Sequence, residues 1–186
     1  MPLAGSPDKQ TIDSSGRTTA ADVDGVVISA PVVHEDHRGV LVEILSDPRF
    51  WDQPFTYAYQ TSIRPGFYKG WFVHRQKTDR YHLVTGELLT FLFDDRVDSP
   101  TKGLTQKVML SERTNRDILI PPGVWHLTLN VGSSEAIIVN LPTTAYNRSH
   151  PDREFLPADT PEIPLDVRAF FPPTGFLPVP PNPRGE

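Results

Sequence analysis

From residue 25 onwards, the chain alternates short apolar runs with residues that favour turns. Runs rich in Val, Ile, Leu, Phe and Tyr are separated at short intervals by Gly, Pro, Asp and Asn, and no stretch has a convincing helical period. Residues 104–110 (LTQKVML) alternate most clearly, since Leu104, Gln106, Val108 and Leu110 share one face of an extended chain. The pattern predicts an antiparallel all-β sandwich or barrel with few short helices, including a helical turn near residue 50.

The two ends of the chain differ from this central part. Residues 1–24 are small, polar and aperiodic, which predicts a flexible arm. Residues 171–186 contain too much Pro for central strands, so we expect a tail or an arm laid over the surface or a neighbouring subunit. One folded domain is therefore expected over residues 25–170.

Composition and charge narrow the classes of function. The 186 residues, 38% of them apolar, suffice for one ordinary domain with its own core, and the absence of Cys rules out disulfides and thiolate ligands. No apolar run approaches the roughly 18 residues needed to cross a bilayer, so we expect a cytoplasmic protein without a membrane partner. The net charge of −5, with both signs interspersed, argues against a nucleic-acid partner. A small anionic ligand remains compatible with a local Arg/Lys cluster.

A spaced pair of motifs carries the candidate chemistry. The first, GFYKGWFVHRQKTDRYHLVTG at residues 66–86, contains His74 and Asp79, and the second, IPPGVWHLTLN at residues 120–130, contains His126. A hairpin with a His and a carboxylate, facing a later strand with another His, can gather these groups around one point inside a small β-barrel. Because two histidines and one carboxylate commonly bind Fe(II), Mn or Zn, these three residues are a candidate metal site.

The spacing of the two motifs resembles the signature motifs of the cupin superfamily. The second motif matches completely as P-x-G-x-x-H-x-x-x-N, whereas in the first Phe72 stands where the superfamily has its first His, and Asp79 where it usually has Glu. The resemblance implies a cupin jelly-roll barrel, the double-stranded β-helix. The two substitutions count against the metal site, so no metal is the first expectation and a site at His74, Asp79 and His126 is the alternative.

Further segments narrow the resemblance to one family. In chain order they are DHRGVLVEI (36–44), PGFYKGW (65–71), DDRVDSPTKG (94–103), IPPGVWH (120–126) and TTAYNRSHPDREFLPAD (143–159). Over about residues 25–170 the chain is similar to the dTDP-4-dehydrorhamnose 3,5-epimerase family, as a divergent member. This family implies a homodimeric cupin without cofactor or metal. It also implies a nucleotide-diphospho-4-keto-6-deoxysugar as ligand, epimerised at the carbons beside the ketone.

The chemistry of such an epimerase requires particular residue types. A base must remove the proton beside the ketone, a donor or cation must stabilise the enolate oxygen, and an acid must return the proton from the other face. In the family a His paired with an Asp, a Lys and a Tyr have these roles, but here the base His falls on Phe72 and the Lys on Asp79. Arg80 is the candidate substitute cation, although its strand parity points it away. The residues expected to act in catalysis are His74, His126, Tyr146 and Asp159.

The binding residues follow the family more closely. Arg38 and Glu43 match its RGxxxE motif, and Lys69 falls where the family has an Arg that meets the diphosphate. Since Lys69 and Phe72 differ in strand parity, both can line one cavity only if Gly70 allows a bulge or twist. The expected substrate-binding set is Arg38, Glu43, Lys69, Tyr59 and Arg96.

Three functions are compatible with the sequence. The favoured one is a nucleotide-sugar epimerase or isomerase with an altered acid/base set. The second is a non-catalytic homologue that binds a sugar nucleotide. The third is a metal-dependent cupin that uses His74, Asp79 and His126.

Overall fold

The computed structural model describes residues 9–171, which form twelve β-strands and two short 3₁₀ helices. The first residues of the predicted arm and residues 172–186 of the predicted tail lie outside the described part. The strands are β1 (Val27–Ser29), β2 (Val32–Asp36), β3 (Gly39–Glu43), β4 (Tyr59–Ile63), β5 (Tyr68–Val73), β6 (Asp79–Thr85), β7 (Glu87–Asp94), β8 (Thr105–Ser111), β9 (Asp117–Ile120), β10 (Val124–Asn130), β11 (Ala136–Asn140) and β12 (Glu154–Phe155). The helices are Pro48–Trp51, the predicted turn near residue 50, and Val167–Phe170.

Ten of these strands form two antiparallel five-stranded sheets. One has the order β1-β9-β6-β11-β4 and the other β12-β5-β10-β7-β8, while β2 and β3 pair only with each other. Except for β7 and β8, neighbouring strands of both sheets are not consecutive in the chain, as in a jelly roll. The all-β prediction is confirmed, and no helix among residues 9–171 is long and apolar enough to span a membrane.

The core lies between the two sheets and follows the alternation read from the sequence. Leu83 and Ile138 of the first sheet pack with Leu88 and Leu92 of the second, all fully or almost fully buried. On β8, Gln106, Val108 and Leu110 are buried while Lys107 and Met109 are exposed. Every second residue of a strand therefore points into the barrel, and this periodicity also selects which polar residues face its interior.

A second apolar cluster covers the outer face of the sheet that contains β10. Trp71, Phe91 and Trp125 point outwards from their strands and pack against Ile163 and Val167 of the C-terminal segment. The segment therefore fixes one wall of the barrel from outside. It also leaves the inward side chains of β10 facing the interior.

The last residues of the predicted N-terminal arm belong to the packed body. Val23 is 1% exposed and lies in the core, and its N–H donates to Gln106 Oε1 at 2.8 Å. Gln106 Nε2 in turn donates to Asp22 at 2.6 Å. Residues 22 and 23 are thus held on the barrel by the burial of Val23 and by hydrogen bonds to the buried amide of Gln106. The polar, aperiodic sequence of this stretch gives no indication of either contact.

The hairpin of β2 and β3 makes no strand pairing with either large sheet. All five residues of β2 are exposed, and so are all those of β3 except Val42. The hairpin carries a local ion pair between Arg38 and Asp36 and a hydrogen bond between His34 and Glu43. Its apolar side chains face solvent in the single chain.

Candidate active site

A cavity of about 640 Å³ enters the barrel between the two sheets. This volume lies within the usual range of small-molecule sites. Tyrosines, three histidines and several cations line it, together with apolar residues. The lining residues used below are Tyr59, Tyr81, Tyr146, His74, His126, Lys69, Lys77, Arg153, Asp152, Phe72 and Thr128.

A buried carboxylate, Asp79, organises the cavity wall. Its Oδ1 accepts hydrogen bonds from Asn140 Nδ2 at 2.8 Å and from Lys77 Nζ at 2.9 Å. Its Oδ2 accepts from Tyr81 Oη at 3.0 Å and lies 3.2 Å from His74 Nε2. Burial alone would raise the pKa of Asp79, but the bond from His74 and the charge of Lys77 outweigh it and hold the pKa well below its usual range. Asp79 is therefore a fully ionised, fully bonded anion.

Two tyrosines beside this carboxylate remain protonated. Burial, followed by the negative charge of Asp79, raises the pKa of Tyr59 and of Tyr81 above the ordinary value of a phenol. Tyr59 Oη accepts a hydrogen bond from Asn140 Nδ2 at 2.8 Å. Tyr81 thus donates to Asp79, the hydroxyl of Tyr59 can donate to a ligand, and neither phenol acts as a base near neutral pH.

His74 follows β5 directly, and both of its ring nitrogens face acceptors. Nδ1 donates to the backbone carbonyl of Asp152, and Nε2 faces the Asp79 carboxylate. Since neither partner can donate a proton, only the imidazolium form of His74 satisfies both contacts. In that form His74 supplies positive charge and has no lone pair with which to remove a proton.

His126 has the opposite arrangement. Nδ1 donates to the carbonyl of Val124 at 3.2 Å, which places the lone pair of the neutral ring on Nε2. Nε2 is buried and has no hydrogen-bond partner within the described residues, with Asp79 Oδ2 3.7 Å away. Burial lowers the pKa of His126 to about 4, against the opposing pull of Asp79, so the ring is neutral at pH 7. His126 is a free base inside the cavity.

An irregularity in β5 brings two residues of different parity to the same cavity. The pairing of β5 with β10 shifts register between His126 and Thr128, and Gly70 has a φ of +120° that favours glycine. A Cβ on Gly70 would collide with the carbonyl oxygen of His126. Lys69 and Phe72 consequently both line the cavity. The sequence predicted that this is possible only with a bulge or twist at Gly70.

Two cations line the outer part of this cavity. The Arg153 guanidinium lies 5.0 Å from the centroid of the Phe72 ring, and the edge of that ring faces His126 at 6.5 Å between centroids. Burial and the nearby Arg153 lower the pKa of Lys69. Paired cations beside a neutral base suit an anionic ligand whose reacting part lies deeper in the barrel.

Comparison with known proteins identifies the family. Residues 20–171 match the family described as dTDP-4-dehydrorhamnose 3,5-epimerase. The chain belongs to the dTDP-4-dehydrorhamnose 3,5-epimerase family. It is therefore a carbohydrate epimerase-like cupin, which the sequence motifs had indicated.

Relatives from this epimerase family match the chain over most of their own length. The spore coat polysaccharide biosynthesis protein SpsL of Bacillus subtilis (strain 168) is 31% identical over 149 residues, covering 80% of this chain and 99% of SpsL. The dTDP-4-dehydrorhamnose 3,5-epimerase of Methanothermobacter thermautotrophicus is 28% identical over 158 residues, covering 81% and 83%. The structure of the dTDP sugar isomerase from Desulfovibrio desulfuricans G20 superposes with a TM-score of 0.70 at 27% identity, covering 77% of this chain and 90% of that one.

The structure brings one part of the predicted epimerase site together. His74, His126, Tyr146, Tyr59 and Lys69 all line the same cavity. Tyr146 is 47% exposed, so it has room to approach a ligand. The two histidines found by their motif positions therefore lie in one place, although their hydrogen bonds give them different chemistry.

Four predicted residues do not line the cavity of their own chain. Asp159 is exposed in the C-terminal segment. Arg96 pairs with the buried Asp94 at 2.8 Å and fastens the loop before β8, which is a structural role. Arg38 and Glu43 lie on the exposed hairpin of β2 and β3.

Arg80, the candidate substitute cation, does not line the cavity, in agreement with its strand parity. Its side chain points out of the barrel, donates to the carbonyl of Pro54 at 3.0 Å and lies 5.3 Å from the Trp51 ring centroid. The sequence reading missed Lys77, Tyr81, Arg153 and Asp152. Tyr81 could have been found, because it follows Asp79 by two positions on one strand. Lys77 and Asp152 lie in irregular segments, where no period indicates direction.

Proposed function

We propose that this protein removes and returns the proton on a carbon beside the ketone of a nucleotide-diphospho-4-keto-6-deoxysugar. One observation carries the proposal: His126 lines a cavity that also contains cations and hydrogen-bond donors, and its neutral Nε2 is buried without a hydrogen-bond partner among the described residues. A base of this kind is what enolisation of a ketosugar needs. Family membership supplies the substrate class, and the expected absence of a cofactor stays a prediction.

The ligand is supported by chemistry and by relatives. Lys69 and Arg153 suit the oxygens of a diphosphate. The Desulfovibrio desulfuricans relative is described as a dTDP sugar isomerase, and a Legionella pneumophila protein of the same fold was solved in complex with dTDP-4-keto-L-rhamnose. We propose a dTDP-linked sugar as the first ligand to test.

The residues take roles that differ from those expected of the family. His126 removes the proton, and the resulting imidazolium is stabilised by Asp79, 3.7 Å away. His74 contributes positive charge rather than a lone pair. Tyr146 is the proposed acid on the other face, because it lines the cavity and is free to move towards the sugar. Asp159 has no part in this proposal, since it is exposed outside the cavity.

Solvent deuterium incorporation tests the proposal directly. Incubation with a dTDP-4-keto-6-deoxyhexose in D₂O should place deuterium at a carbon beside the ketone, measured by NMR. His126→Gln should slow exchange by roughly 10²- to 10⁴-fold, the usual worth of a positioned base. Binding of dTDP, measured by calorimetry, should change little. Binding of the sugar nucleotide by wild type without exchange would favour the non-catalytic homologue instead.

A role of Arg38 and Glu43 in substrate binding would require a homodimer. The hairpin of β2 and β3 exposes Val33 and Val40, and a lone two-stranded hairpin is marginally stable in water. We propose that it packs against a second copy and carries Arg38 and Glu43 towards that copy's cavity. A cytoplasmic location stays a prediction from the sequence.

The metal-dependent alternative rests on His74, Asp79 and His126, whose potential ligand atoms lie within 4.8 Å of one another. The hydrogen bonds of these residues leave their potential ligand atoms poorly available to a metal. Both oxygens of Asp79 are engaged by donors, one of them the ammonium of Lys77, and His74 would have to lose the proton that faces Asp79. We therefore assign the cluster to proton transfer. Stoichiometric metal in protein purified without chelators, with exchange lost on its removal, would favour the alternative.

A further inference from the structure

One cation in the cavity differs from the others in depth and contacts. The side chain of Lys77 is 12% exposed, and its Nζ lies 2.9 Å from Asp79 Oδ1 and 6.0 Å from the Tyr59 ring centroid. Lys69 and Arg153, by contrast, are exposed residues that line the same cavity. Lys77 therefore shares the Asp79 carboxylate with the base, since His126 Nε2 lies 3.7 Å from the other oxygen of that group.

The loop that carries Lys77, between β5 and β6, donates three of its backbone hydrogen bonds to one carboxylate. The Asp152 carboxylate accepts three successive backbone N–H groups, from Arg75 at 2.7 Å, Gln76 at 3.1 Å and Lys77 at 3.0 Å. The backbone carbonyl of Asp152 also accepts from His74 Nδ1. Although burial opposes it, these backbone bonds lower the pKa of Asp152 and keep it ionised. Asp152 thus sets the position of both His74 and Lys77.

We propose that Lys77 is the catalytic cation that stabilises the enolate oxygen, and that Asp152 is the positioning residue that holds Lys77 at the cavity. This inference rests on the proposed function. An ammonium has three N–H donors, and the bond to Asp79 uses one of them, which leaves donors for a ligand oxygen. The bond to Asp79 holds the ammonium at the carboxylate that also lies beside the base. A preorganised donor of this kind is usually the largest single contribution to enolate stabilisation.

The step balances with the residues present. His126 Nε2 takes the proton, the C–H electron pair forms the carbon–carbon double bond, and the carbonyl π pair moves to oxygen as the enolate. Lys77 Nζ donates to that oxygen without losing its proton. On return, the double bond takes a proton from the acid, the carbonyl reforms, and no oxidant or reductant is consumed.

The two lysines of the cavity provide a matched test. In the deuterium-exchange assay, Lys77→Met should lower kcat by roughly 10²-fold or more, the usual effect of removing one oxyanion donor. It should leave the Kd for dTDP nearly unchanged, and Lys77→Arg should recover part of kcat. Lys69→Met should instead raise KM. Lys102→Met, on an exposed loop, is the control with wild-type constants. Should Lys77→Met not fold, Lys77→Gln makes the same test.

A double variant of Lys77 and Asp152 distinguishes a positioning role of Asp152 from a merely structural one. Asp152→Asn should lower kcat by about 10-fold, and Asp152→Asn combined with Lys77→Met should be no slower than Lys77→Met alone, because one acts through the other. Multiplicative losses in the double variant would overturn the role of Asp152. Wild-type kcat in Lys77→Met would overturn the role of Lys77 while the proposed function stands. A wild type that exchanges no proton would refute the proposed function and this inference with it.

Discussion

At the scale of single residues, the two histidines of the site differ in what their ring nitrogens face. His74 lies between a backbone carbonyl and a carboxylate, so both of its ring nitrogens face acceptors, whereas His126 has one carbonyl partner and a second nitrogen without a hydrogen-bond partner among the described residues. The motif positions placed both in the site. Their roles could not be predicted, because the deciding acceptor of His74 is a carbonyl 78 positions further along the chain.

The buried, neutral His126 predicts how stability depends on pH. Its folded pKa of about 4 lies below the ordinary histidine value of 6.5, so the unfolded chain binds more protons between these values. The free energy of unfolding should therefore fall as the pH is lowered from 6.5 to 4, by on the order of 3 kcal/mol from this group. Urea denaturation at several pH values measures the effect.

His126→Gln is the control for that measurement, because glutamine does not titrate. Its stability should vary less over the same range of pH than that of the wild type. Equal slopes for the two proteins would show that His126 is not buried as a neutral base.

At the scale of elements, the irregular part of β5 creates the mixed lining of the cavity. A regular strand would direct Lys69 and Phe72 to opposite faces. The sequence shows that Lys69 and Phe72 differ in strand parity. It also indicates that Gly70 is the residue at which a bulge or twist could bring both side chains to one cavity. The sequence could not show that the backbone of β10 passes so close that only glycine fits there.

Gly70→Ala should destabilise the protein and weaken ligand binding together. The new Cβ would meet backbone atoms of His126 and Leu127 while a positive φ is imposed on alanine, and we expect a loss of at least about 2 kcal/mol. Gly103→Ala is the matched control, because its φ is +83° but no atom lies within 4 Å of the added Cβ. Its loss should be about 1 kcal/mol, with dTDP binding intact. Equal effects of the two substitutions in thermal unfolding and calorimetry would contradict the close approach at Gly70.

At the scale of the whole molecule, the described chain has a well-formed cavity and a hairpin that pairs with neither barrel sheet. Cross-strand register places Val33 opposite Val42, and Glu35 opposite Val40, on one face of that hairpin. Val33 is 49% and Val40 55% exposed. A second copy of the chain would bury this face and account for two predicted binding residues, Arg38 and Glu43, that do not line the cavity of their own chain.

Charges on this face should dissociate the proposed dimer. Val33→Glu combined with Val40→Glu is expected to yield a monomer in light scattering, because the carboxylates cannot be buried against a partner. Its KM for the sugar nucleotide should rise, as should that of Arg38→Ala. Val97→Glu, at a side chain that is 77% exposed in the loop before β8, is the control and should leave the mass unchanged. A monomeric wild type, or a wild-type KM in the charged variant, would refute the proposal that a second copy contributes Arg38 and Glu43 to the site.

The sequence by itself determined the strands, the barrel and the family, because these depend on local properties. Alternation with a period of two, turn residues at short intervals and two spaced motifs are all written in consecutive positions. Only the tertiary structure decided the chemistry of the site. Whether a histidine is a base, whether Arg96 binds substrate or pairs with Asp94, and whether Lys77 reaches Asp79 depend on burial and on partners distant in the chain. Protonation follows from those contacts, so it becomes readable only once the strands have packed.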